Sequence, residues 1–219
     1  QGFESLTALG SARHAHTATV LADGKVLVVG GTLSPPGTVL GTTELYDPAT
    51  GQWTARANLG TARNFHTATL LRDGRVLVVG GEDPSLVLVG TAEVFDVGAN
   101  NWAPAGVLRD RRCEHTATLL DDGRVLVIGG QSDGVGTVAQ VAYSCEVYDP
   151  ATNGWSVAGR IAVQRNQHTA TALPSGGVLV VGGNNPTIFS IPNAEIFDPA
   201  TGTPSDAGIL LPPPESGGF

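Results

Sequence analysis

Sixteen residues recur four times along this chain: HTATVLADGKVLVVGG at 16–31, HTATLLRDGRVLVVGG at 66–81, HTATLLDDGRVLVIGG at 115–130 and HTATALPSGGVLVVGG at 168–183. The histidines are spaced 50, 49 and 53 residues apart, so the fold must be one unit repeated. A second block follows each first one: TELYDPATGQW at 43–53, AEVFDVGANNW at 92–102, CEVYDPATNGW at 145–155 and AEIFDPATGTP at 194–204. Trp53, Trp102 and Trp155 each stand 13 residues before the next histidine, and Phe3 holds that place before His16. One interval carries all the variation in period, the loop from the second glycine to the glutamate, at 13, 12, 16 and 12 residues.

The local chemistry predicts four strands per unit. HTATLL and RVLVVGG, strands a and b, are joined by Asp-Gly, which suggests a two-residue hairpin with positive φ at both turn positions. The unbroken apolar run of strand b implies burial on both faces. ELYDPATGQW gives strand c, a turn at Asp-Pro-Ala-Thr-Gly, and strand d opening at tryptophan. Four antiparallel strands repeated radially make a β-propeller.

Composition agrees. Only 15% of the 219 residues are charged and 30 are glycine, a balance that favours strands and tight turns over helices. A net charge of −8 with a single lysine, Lys25, argues against nucleic acid as a partner. Apolar runs such as VLVV fall far short of the roughly 20 residues that span a bilayer, so membrane insertion is not expected. The chain starts at Gln1, lacks methionine and shows no signal-peptide pattern, as expected of a processed end or the edge of a longer sequence.

The double glycine after strand b, the aromatic residue before the Asp-Pro turn and the tryptophan at fixed spacing together resemble Kelch repeats. The resemblance implies an all-β, Kelch-type propeller with the a strands lining a central channel; the four repeats supply four blades of about 50 residues, fewer than the six or seven most common in Kelch propellers. The propeller is expected over 1–211: an N-terminal d-type strand at 1–13, units at approximately 14–63, 64–112, 113–165 and 166–211, and a Pro/Gly-rich tail at 212–219. Four a-b-c sets face five candidates for strand d. The N-terminal segment could complete blade 4 and close the ring, because Pro204 occupies the tryptophan position of the C-terminal candidate. Part of a larger propeller, or two chains forming an eight-bladed ring, are the other readings.

The d-to-a and b-to-c loops share one face of the blades, where propellers tend to carry function. Arginine lies three residues before each histidine (Arg13, Arg63, Arg112, Arg165), and Glu44, Glu93, Glu146 and Glu195 open the c strands. Four arginines at one mouth would draw an acidic ligand, as in Kelch domains that bind acidic peptides. Each arginine also comes with a glutamate of its own unit, so the pairs could instead tie each blade together. The histidines pose the same choice between an axial metal and a structural bond, and the structural bond is the expectation; no cofactor is expected. Residues that differ from unit to unit are the candidates for specificity: His14, Asn64, Phe65, Glu114, Asn166 and Gln167. The b-to-c loops add Val39, Leu40, Leu86 to Val89, Val138, Val141, Tyr143, Ile188, Phe189 and Ile191, which either pack on a neighbouring blade or form an apolar patch.

Cys113 and Cys145 are the only thiols, both on this face of unit 3. The paired exception predicts a disulfide across the long loop, and with it an exported, extracellular protein. Galactose-oxidase-like Kelch enzymes use copper held by tyrosines and histidines with a tyrosine–cysteine crosslink. Tyr143 and Cys145 stand here without the rest of that set, and no nucleophile elbow or phosphate loop is present. The expected function is non-catalytic recognition of a protein or peptide at the d-a and b-c loop face. A carbohydrate-binding or oxidase-like propeller and a purely structural segment are the alternatives, and a homo-oligomer is open if one chain does not close the ring.

Overall fold

The computed structural model describes residues 8–35, 37–133 and 140–209. Expectations on Phe3 and the rest of 1–7, on Val138 and on the tail lie outside the described residues. Each repeat forms one four-stranded antiparallel sheet in the order a-b-c-d. Blade 1 comprises Thr17–Val20, Val26–Val29, Thr43–Asp47 and Gln52–Arg56. Blade 2 comprises Thr67–Leu70, Val76–Val79, Thr91–Asp96 and Asn101–Val107. Blade 3 comprises Thr116–Leu119, Val125–Ile128, Ser144–Asp149 and Gly154–Arg160. Blade 4 comprises Thr169–Ala172, Val178–Val181, Asn193–Asp198 and Thr203–Ile209.

Strand b explains why a single sheet is not stable alone. Its side chains alternate between two faces, and all four are apolar, so both faces need a neighbour. In blade 2, Val76 and Val78 pack with Leu27 and Val29 of blade 1, while Leu77 and Val79 pack with Val125 and Val127 of blade 3. Leu126 and Ile128 of blade 3 then meet Val178 and Val180 of blade 4. Three apolar clusters thus fill the three spaces between four blades. Burying each such side chain is worth about 1.5–3 kcal/mol, which is why adjacent blades hold together.

Polar groups reinforce the same stacking. The Trp102 indole N–H donates to the Ala57 carbonyl of blade 1 at 2.8 Å, and Trp155 donates to Ala105 of blade 2 at 2.7 Å. Each tryptophan also packs against the aromatic residue before its own Asp turn, with Tyr46–Trp53, Phe95–Trp102 and Tyr148–Trp155 centroids 4.9–5.3 Å apart.

Two expectations are corrected. The a-b connection is not a two-residue hairpin. The Leu21 amide donates to the Lys25 carbonyl and Gly24 donates back to Leu21, while only Gly24 has positive φ. This is a type I turn followed by a left-handed glycine, with the Asp23 carboxylate accepting from the Lys25 amide instead of taking positive φ. The second correction concerns the outer strand of blade 4. It is Thr203–Ile209, with Pro204 opposite Phe197, so the proline does not keep the C-terminal candidate from forming strand d. Arg13–His14 joins a small ribbon with Thr32–Leu33 and Thr38–Val39 on the loop face. Consecutive a strands pack blade on blade, and no comparable packing joins those of blades 1 and 4.

Candidate functional site

The loop face is built on the arginine–glutamate pairs. The Arg63 guanidinium donates to the carbonyls of Thr61, Gly80 and Thr91, to the Thr91 hydroxyl and to the Glu93 carboxylate, the last at 2.7 Å. Glu93 uses its remaining capacity on the amides of Gly60 and Thr61. Arg13–Glu44, Arg112–Glu146 and Arg165–Glu195 repeat the arrangement, and all four arginine side chains are 0% exposed. The d-to-a loop is thereby clamped to strands b and c of its blade. Burial lowers the Arg63 pKa, with Glu93 opposing the shift. Of the two readings of the repeated arginines, the observed geometry is the one in which each pair ties its own blade together, and their guanidinium groups do not face the mouth.

The histidines also work between blades. His66 Nε2 lies 3.0 Å from the Thr17 hydroxyl of blade 1, and His115 and His168 pair with Thr67 and Thr116 at 2.9 Å. Desolvation holds His66 and His168 down to about 3, and His115 well below its usual value. Among the described residues no group of histidine, cysteine and carboxylate side chains is arranged to hold a metal.

The residue before each histidine forms a feature invisible in the repeat signature. Ala15, Phe65, Glu114 and Gln167 all take left-handed φ of 49–54°. The amide of Phe65 donates to the Ala15 carbonyl, Glu114 to Phe65 and Gln167 to Glu114, each at 3.1 Å. A hydrogen-bonded ladder therefore runs from blade to blade. Its backbone is fixed while its side chains are free to differ, which is how Phe65 comes to present 40% of its surface to solvent.

Residues 4–198 match the family described as Attractin/LZTR1 beta-propeller. The chain belongs to this family. The Attractin/LZTR1 family is of Kelch type, so the resemblance read from the glycine pair, the aromatic and the tryptophan holds. Propellers of this family typically mediate protein interaction. No curated protein matches the chain.

In this Attractin/LZTR1-type propeller the remaining candidates separate by burial. Asn64 and Asn166 are buried and reach backwards, Asn64 to the Thr32 hydroxyl and Asn166 to the Glu114 carboxylate. Glu114 also accepts from the Gln167 amide at 2.7 Å, so half-buried Glu114 is engaged with blade 4. His14 is exposed on its ribbon. Tyr143 and Phe189 are 44% and 96% exposed, and Leu86, Val87 and Ile188 join them among the exposed apolar side chains of the b-to-c loops. Val89, Val141 and Ile191 of the same loops are buried, so these three loops divide into an anchoring part and a presented part, while Val39 and Leu40 of the first loop are both half-buried.

A groove of about 290 Å³ opens beside Tyr143, lined also by Arg109, Asp110, Ser144, Val157 and Arg160. Arg109, from the d-to-a loop of blade 2, and Arg160, from strand d of blade 3, are exposed cations without an arginine at the matching place of the other units, and among the described residues no carboxylate forms an ion pair with either. Sequence reasoning singled out the unrepeated residues beside the histidines and missed these two. The signal was present: they are arginines that break the repeat.

The predicted disulfide is absent, which is a correction. Cys113 and Cys145 are both free and buried. Cys113 lies on the face ribbon opposite Gln131, whereas Cys145 lies in strand c opposite Ile128, within the core between blades 3 and 4. Cys145 takes the place held by Thr43, Ala92 and Ala194 in the other blades, a small buried position that cysteine suits as an apolar filler. Burial raises both thiols to about 12. Neither thiol should react with an aromatic disulfide reagent at pH 8 in the folded protein, and both should react in denaturant. Rapid titration of either in the native state would contradict this burial. The expectation of export loses the bridge as its support.

Proposed function

We propose that the chain is a non-catalytic recognition module that binds a protein segment on the loop face, around Tyr143 and its groove. The observation that carries the reading is the set of large apolar side chains gathered exposed at this face, Phe65, Leu86, Tyr143, Ile188 and Phe189, three of them aromatic. Exposed aromatics rimmed by polar groups suit protein partners. Arg109 and Arg160 supply the positive charge that the clamped arginines cannot, so the preferred segment combines an apolar anchor with an acidic side chain.

Selection of a random peptide library on the immobilised protein tests this. Enriched sequences should pair an aromatic or aliphatic residue with Asp or Glu. Tyr143→Ala and the double change Arg109→Glu with Arg160→Glu should each weaken an enriched peptide by about tenfold or more, with unchanged thermal stability. Enrichment insensitive to all three positions would sink the site. Binding on a glycan array, or no enrichment at all, would favour a sugar-binding or a purely structural role.

A further inference from the structure

The two ends of the blade stack carry the two halves of an interface that the chain already makes three times. The trailing half, on each blade that has a successor, consists of strand b and c residues such as Leu27, Val29 and Leu45, a threonine hydroxyl opening strand a, and the glycine pair. The leading half of the next blade offers two strand b valines, the strand c aromatic, the histidine and the arginine carbonyl. The Gly31 amide donates to the Arg63 carbonyl, Gly81 to Arg112 and Gly130 to Arg165, at 2.8–2.9 Å.

At the trailing end of blade 4 these groups have no counterpart among the described residues. A Cβ at Gly30, Gly80 or Gly129 would strike the next blade's arginine carbonyl and histidine ring, while at Gly182 nothing lies within 4 Å. Leu179, Val181 and Ile196 are only half-buried, although Leu27, Leu77 and Leu126, at the Leu179 position, are fully buried. Thr169 is exposed. Blade 1 shows the matching deficit at its leading end. His16 is exposed where its three equivalents are buried, and Val26 and Tyr46 are half-buried where Val76 and Phe95 are fully buried. No bond joins the Ala15 amide to the Gln167 carbonyl, the two open ends of the axial ladder.

We propose that the leading face of blade 1 docks on the trailing face of blade 4 in a second copy of this chain. Two copies then close head to tail into one eight-bladed ring. The occupant is named by complementarity: the trailing face of blade 4 presents what a leading face requires, and blade 1 presents such a face. His16 of one copy would meet Thr169 of the other, and the Gly183 amide the Arg13 carbonyl. The contact joins two different surfaces, so it must be made twice around a two-fold axis to leave no end open.

Sedimentation velocity on the 219-residue chain should give a particle of two chains, against 22.4 kDa for one. Leu179→Lys alters only the trailing face and His16→Asp only the leading face. Each variant alone should sediment as a monomer with an unchanged circular dichroism spectrum. An equimolar mixture should regain a two-chain particle through the one contact that pairs two intact faces. A monomeric wild-type chain at all concentrations overturns the proposal and leaves these faces to a different occupant, such as further blades of a longer polypeptide. Open polymers overturn the two-copy ring, and dimers that survive both single variants overturn the head-to-tail contact.

Discussion

Arg63→Ala is expected to destabilise the protein by about 3–5 kcal/mol, the usual cost of removing one partner of a buried ion pair. The change strands the Glu93 carboxylate and removes donors from the carbonyls of Thr61, Gly80 and Thr91. In a chain of this size that lowers Tm by roughly 10 °C. Arg63→Lys should recover little, because an ammonium cannot reproduce the fork that reaches Glu93 and the Thr91 hydroxyl with one nitrogen and two carbonyls with the other. Pairing Arg63→Met with Glu93→Leu removes the stranded charge and should return part of the loss. Recovery stays incomplete because the Gly60 and Thr61 amides still lack their acceptor. Thermal unfolding followed by circular dichroism measures all four proteins. A fully stable Arg63→Ala variant with weakened binding of an acidic peptide would restore the arginines to the ligand site.

The contrast between repeated and unrepeated residues explains what the sequence could and could not say. Period arithmetic placed the blades because each blade must bury both faces of the same VLVV strand, and that requirement is written into every unit. It could not orient the arginine ring. Spacing shows that Arg63 and Glu93 recur together, whereas the direction of a guanidinium depends on carbonyls at Gly80 and Thr91 that any sequence would supply. Pro204 misled for a related reason. A proline is excluded from the middle of a sheet but tolerated on an outermost strand, where one edge has no partner, and strand d is such an edge. The left-handed residues before each histidine gave no signal, since Ala15, Phe65, Glu114 and Gln167 share no side-chain chemistry. Their conformation is imposed by the amide ladder, which frees their side chains to vary. The cysteines fell into the opposite trap, a shared exception with two separate causes: one fills a core position and the other lies on the face ribbon.

The interblade histidines make acid the condition that should open the stack first. In the unfolded chain a histidine titrates near 6.5, while in the fold desolvation holds His66 and His168 down to about 3 and His115 well below its usual value. Above pH 7 both states are neutral at these sites and stability is at its plateau. As pH falls below about 6.5 the unfolded chain takes up protons that the folded chain refuses, so stability declines until the folded sites themselves titrate. Each histidine contributes a slope of about 1.4 kcal/mol per pH unit, or about 4 kcal/mol per unit for the three. Against a total stability of about 5–15 kcal/mol, unfolding is expected with a midpoint between about pH 5 and about pH 3. The turn carboxylates Asp23, Asp73 and Asp122, held below their usual range by the neighbouring cations, add their loss only at lower pH. Urea unfolding measured from pH 7.5 to 4.5 gives the slope directly. His115→Asn should lower stability at pH 7.5, where its bond to Thr67 is lost, and reduce the acid slope by about one third. A slope unchanged by that substitution, or a flat profile down to pH 5, would show that histidines between the blades do not carry the acid sensitivity.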